Sequence, residues 1–298
     1  MPAGAVPPIP PDMLARVRRL EIQARRLVVS AFLGEYHSVF RGRGIEFSEV
    51  RPYDHGDDVR AIDWNVTARM GAPYVKKYVE ERELTVLLVV DISASLQVTT
   101  TRMSKRQLAA EVAATLAFAA VANNDRVGLI TFSDRVERFV PPGKGRMHVL
   151  RLLRELLYEE PAGRGTDIAA ALSYVMRVAR RRAIVFALSD FFAPGFERSL
   201  RAAAARHDLL AITLGDPCET ELPDVGLLEV ADAEAGTRAF VDTSDARARA
   251  AYAAHAADRL TARSRSFAAA GVDEIALTTG ASYVEPLHRA FRARERRR

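Results

Sequence analysis

Residues 84–95, LTVLLVVDISAS, constrain the fold more than any other stretch of the chain. Branched, mainly apolar residues run unbroken into Asp91, and Ser93 and Ser95 follow at alternate positions. A strand with one wet face would alternate apolar and polar residues, so an unbroken apolar run of this length reads as a strand buried on both faces. The charge then falls at the carboxyl end of the strand, where open parallel sheets bind their ligands. One carboxylate and two hydroxyls in a small volume are oxygen donors that suit a hard cation such as Mg2+.

The chain around this run alternates in type. Residues 1–11 are proline-rich and read as a disordered tail. A helix is expected from Asp12 to Val29, with Leu14, Val17, Leu20, Ile22 and Leu27 on its apolar face. The stretch 34–83 is dense in glycine, aromatics and paired charges. Within it Ile62–Thr67 and Tyr74–Val79 read as strands or extended arms, Asp54, Asp57 and Asp58 as turn residues paired with nearby arginines, and Trp64 as a buried anchor. Beyond the central run, Ser104-Lys105-Arg106-Gln107 has the form of a capping box opening a helix to about Ala122. Further strands are expected at 126–132, 136–140 (closed by Pro141-Pro142), 183–188, 208–214 and 273–278, with a hairpin at 227–241. Helices are expected at 147–158, 167–181, 196–206, 245–270 and from 283 onward. Strands alternating with helices give a mainly parallel sheet covered on both faces. The expected fold is therefore α/β, a doubly wound, Rossmann-type sheet over 83–298. Ahead of it, 12–82 forms a smaller appended segment of helix plus extended structure.

Two more oxygen donors fall at equivalent places. Thr166 lies in a glycine loop before a helix, and Asp190 ends a buried strand as Asp91 does. Strand ends beside a switch point converge on one crevice, so Asp91, Ser93, Ser95, Thr166 and Asp190 form one candidate metal set. Each has a plainer reading alone: Thr166 as a helix N-cap, the serines as turn residues, Asp190 as the cap of the helix near Phe196. The joint pattern, in this order and context, carries more weight than any of its parts.

DISAS, GRGTD and LSD resemble the metal-ion-dependent adhesion site of von Willebrand factor A domains. RGRGIEFSEVRPYDHGDDVRAIDWNVTAR and VKKYVEERE, placed just ahead of DISAS, resemble one branch of that superfamily, the domain-of-unknown-function 58 family. LSDFF, RHDLLAITLGDP, ELPDVG and YVEPL are similar to it as well, so the likeness spans about residues 30–290. It implies a von Willebrand factor A-like fold and a Mg2+- (or Mn2+-) dependent, non-enzymatic protein-binding adaptor. The two serines and the threonine would bind the ion, the aspartates often acting through water, and an acidic residue of a protein partner would complete the coordination. Proteins of this kind are associated with MoxR-type AAA+ ATPases, which implies a role in chaperone-like assembly or metal-centre maturation. Many relatives carry membrane spans ahead of this region, a feature this sequence lacks.

Composition trims the other classes. One cysteine, Cys218, excludes an internal disulfide and a cysteine-based zinc site. The start has no signal-peptide pattern, and no apolar run approaches the roughly 18 residues of a membrane span, so a cytoplasmic protein is expected. The net charge of +5 comes from scattered arginines rather than a basic stripe, which argues against a nucleic-acid binder. A Mg2+-dependent phosphohydrolase of the haloacid-dehalogenase type is the enzymatic alternative. It would need a second aspartate where Ser93 stands, together with a helix-borne lysine. None of the six histidines forms an i, i+4 ligand pair, and no catalytic residue is expected.

Overall fold

The structure, a computed structural model, describes residues 11–28, 36, 39, 45–80, 83–97, 99–231 and 237–297. The tail expected at 1–11 lies outside them, apart from Pro11, which opens the first helix. Compact packing divides the chain into Met1–Val39 with Thr85–Arg298, and Phe40–Leu84.

The larger unit begins with α1 (Pro11–Leu27) and continues with β3 (Thr85–Asp91), α3 (Lys105–Ala122), β4 (Arg126–Phe132), β5 (Val136–Gly143), α4 (Arg146–Tyr158) and α5 (Ile168–Val178). It ends with β6 (Ile184–Ser189), α6 (Glu197–Arg206), β7 (Asp208–Gly215), β8 (Leu227–Ala231), β9 (Arg238–Asp242), α7 (Ala246–Ala270), β10 (Asp273–Thr278) and α8 (Val284–Arg297). Six strands make one sheet in the order β10-β7-β6-β3-β4-β5. All neighbours are parallel except β4 and β5, which pair antiparallel. From β3 the chain first builds towards β4 and β5, then returns to the other side of β3 with β6. The order thus reverses beside β3, and its carboxyl end borders the switch-point crevice.

Burial follows from that position. Val86–Asp91 and Ile184–Ser189 are buried throughout, because helices cover both faces of the sheet. On one face Leu87, Val89, Val185 and Ala187 pack with Ile168 and Leu172 of α5, Leu200 of α6 and Phe267 of α7. The other face carries α3, whose Leu108, Val112 and Leu116 are buried, with α4 beside it. α1 packs on α3 and α4, and Arg146 donates to Glu21. The buried side of α1 is Val17, Glu21, Ala24 and Val28; Ile22, expected on it, is 50% exposed. β8 and β9 form the expected hairpin.

Two boundaries differ from the expectation for identifiable reasons. β5 runs through Pro141 and Pro142 to Gly143 rather than stopping before them, which an edge strand tolerates because one side of its ladder is open. The cap of α5 is Asp167, whose carboxylate accepts the N–H of Ala170 at 2.8 Å, so Thr166 is not the cap.

In the smaller unit β1 (Ile45–Pro52) pairs antiparallel with β2 (Tyr74–Glu80). Between them lies α2 (Trp64–Met70), where extended structure was expected. Asp63 caps this helix through the N–H groups of Asn65 and Val66, and Gly71 at φ +72° closes it in the left-handed conformation. A cap and a C-terminal glycine outweigh the β-leaning run Ile62–Thr67. Arg51 grips Asp57 through two hydrogen bonds of 2.8 and 2.6 Å. Trp64, expected as an anchor, is 70% exposed at the start of the helix.

Phe267→Ala should therefore cost about 3–5 kcal/mol in urea unfolding, as truncation of a buried aromatic does. Trp64→Ala should change stability by no more than about 0.5 kcal/mol. Equal losses in the two variants would contradict this assignment of the core.

Candidate metal centre

Asp91 ends β3 and is 0% exposed, so bulk solvent does not reach its charge. Three donors replace water. The Ser93 N–H reaches one carboxylate oxygen at 2.9 Å, and the Ser189 hydroxyl donates to the other at 2.6 Å; the Ser93 hydroxyl also acts on it. From Ser93 the polar chain runs on: its Oγ lies 3.1 Å from Ser95 Oγ, and Ser95 Oγ donates to Asp190 Oδ2 at 3.0 Å. Asp91, Ser93, Ser95 and Asp190 thus form one connected set across the crevice between β3 and β6.

Thr166 stands in the adjoining loop. The N–H of Asp167 bonds the Ser133 carbonyl at 2.8 Å, and the N–H of Ile92 bonds the Phe132 carbonyl at 2.8 Å. The loop is therefore stitched to the end of β4, which is stitched to the end of β3. Thr166 is half-buried there.

The donors fit a hard cation. Adjacent oxygens around an octahedral ion with bonds of about 2.1 Å are spaced about 3 Å apart. The Ser93–Ser95 and Ser95–Asp190 hydrogen bonds, at 3.1 and 3.0 Å, hold three oxygens at a spacing such an ion could share. Among the described residues no group of three or more His, Cys, Asp or Glu is placed to hold a metal. An ion in this crevice would have to be held by two carboxylates and hydroxyls, a set with low total charge.

Three contributors escaped the sequence reading. Ser189, the middle residue of LSD, holds Asp91. Lys105, the first residue of α3, is 1% exposed, and its Nζ lies 2.9 Å from Asp190 Oδ2 and contacts Glu219 as well. Burial opposes the Lys105 charge, but Asp190 and Glu219 more than offset it and hold its pKa above the usual lysine range. A lysine in the first turn of a helix faces the positive end of the dipole. That oddity within SKRQ was the available signal. Glu219 sits in a short turn at 217–219 that Asp216 caps. Burial alone would raise the Asp216 carboxyl, yet hydrogen bonds from Thr100, Thr279 and Cys218 hold it well below the usual carboxylate range. Thr99 donates to the same carboxylate at 3.4 Å. The loop joining Ser95 to Lys105 is in this way clamped to the end of β7.

Asp190 does not cap α6; the residue at that cap is Phe196, which supplies no side-chain bond. The chain instead turns sharply after Asp190. Phe191 takes φ +56°, a left-handed conformation that a bulky residue adopts at a cost of about 1–3 kcal/mol. Its ring is held edge-on to Phe196 and Phe267 at 5.6 and 5.0 Å, and its N–H donates to Ser189 Oγ at 3.1 Å. Arg263 donates to the Asp190 carbonyl at 2.9 Å. The Asp190 carboxylate itself is held by Ser95, by Lys105 and by the Phe192 N–H at 3.3 Å.

The family model described as "Protein of unknown function DUF58" matches residues 49–262. An uncharacterized protein of Mycobacterium tuberculosis (strain ATCC 25618 / H37Rv) is 38% identical over 293 residues, covering 96% of this chain and 91% of that one. An uncharacterized protein of Mycobacterium avium is 36% identical over 161 residues, 53% of this chain and 94% of that one. The crystal structure of the conserved hypothetical protein BatB from Bacteroides thetaiotaomicron matches with a TM-score of 0.47 at 16% identity, over 72% of this chain and 99% of that one.

Burial, and next the charge of Asp190, push the Asp91 carboxyl up to about 7, against the pull of Ser189 and Ser93. A carboxyl raised in the fold weakens it fully once ionised in both states. The penalty is therefore complete above pH about 7 and is relieved as pH falls towards the unfolded value of about 4. In chelator, the thermal midpoint of Asp91→Asn should gain less than the wild type does between about pH 8 and about pH 6. Identical pH slopes would rule out a raised Asp91.

Proposed function

We propose that this chain, which belongs to the DUF58 family, is a non-enzymatic adaptor that binds a protein partner through a divalent cation, Mg2+ or Mn2+. The observation carrying this reading is the connected oxygen chain from Asp91 through Ser93 and Ser95 to Asp190 at the switch point of the sheet. Asp91, Ser93, Ser95, Thr166 and Asp190 would hold the ion. The bound ion would supply an open coordination position for an outside carboxylate. The division of labour among the side chains follows from their setting. Ser189 and the Ser93 N–H fix the Asp91 carboxylate, so a hydroxyl or water can face the ion while the buried aspartate orients it. Ser95, Lys105 and the Phe192 N–H hold the Asp190 carboxylate in the same way. Two carboxylates and neutral hydroxyls would leave part of the ion's oxygen shell open, and an acidic side chain of the partner would fill it.

A MoxR-type AAA+ ATPase is the partner class we propose, from the resemblance of RGRGIEFSEVRPYDHGDDVRAIDWNVTAR, VKKYVEERE and the later segments to the domain-of-unknown-function 58 family, with chaperone-like or metal-centre assembly as the process served. Among the described residues no helix is long and apolar enough to cross a membrane.

The phosphohydrolase alternative gains one feature, since a lysine does stand beside Asp190. Two features weigh against it. Lys105 Nζ is enclosed between two carboxylates rather than turned to a substrate, and a hydroxyl occupies the general-acid position at Ser93. His148 and His207 hydrogen-bond to Val127 and Ala183 at the amino-terminal edge of the sheet, opposite the crevice.

Calorimetric titration with Mg2+ should show one site in the wild type and none in Asp91→Ala. The cognate ATPase should be retained on the immobilised chain in Mg2+ and released by chelator. Retention that is equal for wild type and Asp91→Ala would end the metal-bridge reading. Phosphate release from an aryl phosphate, lost in Asp91→Asn, would favour the enzyme.

A further inference from the structure

Lys105 is the least expected group at this end of the sheet. It is one of the largest wholly buried side chains of the protein. It is charged, and it starts a helix, where the backbone N–H groups already carry positive charge. Burying an ammonium in such a place is costly unless opposite charges meet it. Here Asp190 and Glu219 do, from the ends of β6 and β7. The oxygen that takes Lys105 Nζ at 2.9 Å is Asp190 Oδ2, the same atom that accepts the Ser95 hydroxyl at 3.0 Å. One candidate ligand oxygen is therefore already engaged by a cation that belongs to the chain.

Charge decides what this does to an incoming ion. Asp91, Asp190 and Glu219 are three carboxylates, and Lys105 cancels one of them. A dication entering the cradle would balance the remaining two charges, but it would also compete with the Lys105 ammonium for Asp190 and meet it within a few ångströms, where like charges repel strongly in a dry site.

We propose that Lys105 is a tethered counter-cation of the cradle: it holds Asp190 in place when no ion is bound and, by competing for that carboxylate, lowers the affinity for a divalent ion. The proposal rests on the metal-bridge reading above. It adds a regulatory role for a residue outside the ligand set.

The test compares wild type, Lys105→Met, Lys105→Met/Asp190→Asn and Glu219→Gln by Mg2+ and Mn2+ calorimetry and by thermal melting in chelator and in Mg2+. Lys105→Met should melt below wild type in chelator, recover more than wild type on adding Mg2+, and bind the ion about tenfold or more tightly. Adding Asp190→Asn should restore the midpoint in chelator. Glu219→Gln removes a rim carboxylate, keeps an amide oxygen for the Asp216 N–H, and should weaken ion binding several-fold. That second variant decides the matter if Lys105→Met does not fold. Unchanged or weaker ion affinity in Lys105→Met, or unchanged affinity in Glu219→Gln, overturns the proposal. Absence of ion binding in every protein overturns the metal-bridge reading and the affinity limb with it. The chelator arm then judges the counter-cation limb by itself, and failure of Asp190→Asn to rescue Lys105→Met overturns that limb too.

Discussion

Asp91 and Asp190 face one another across a crevice from which water is largely excluded, and their mutual repulsion is the constraint that shapes the carboxyl end of the sheet. Neither carboxylate is exposed enough to be solvated. Two unscreened charges at such range would drive the strand ends apart or force a proton onto one of them. The surroundings answer in several ways. Serine hydroxyls and a backbone N–H are aimed at Asp91. An ammonium carried on α3 is delivered to Asp190. The turn after Asp190 accepts an unfavourable backbone conformation, held there by a cluster of phenylalanines.

These devices link the crevice to elements beyond it. Lys105 reaches Glu219, Glu219 is tied to the backbone of Asp216, and Asp216 collects donors from Thr99, Thr100 and Thr279. Three strand ends and the first turn of α3 thereby share one polar network. A buried network of this kind is stable only when every member is paired. The crevice is thus joined by ion pairs and hydrogen bonds to the loop that separates Ser95 from Lys105.

Much of the fold was legible in the sequence because the signals were local and agreed with one another. The apolar runs at 84–90 and 184–188 are too uniform for a half-wet strand, and the Ser104–Gln107 capping box appears as written. Asp91, Ser93, Ser95 and Asp190 were readable because their positions relative to buried strands are fixed by topology. Lys105, Glu219 and Ser189 were not, because their roles depend on charges 85, 114 and 98 residues away in the chain. Trp64 illustrates the opposite failure: its size argues for burial, but a seven-residue helix capped by Asp63 leaves it at the surface. Thr166 lost its capping role to Asp167 for a one-residue reason, since a carboxylate is as good a cap as a hydroxyl.

The marginal strand β5 carries Pro141 and Pro142 just ahead of its last residue, Gly143, where its register against β4 shifts. Proline has no N–H to donate, so this stretch of the margin offers fewer hydrogen-bond donors to a passing strand. Pro141 and Pro142 thus make this end of β5 a poor template for a further strand.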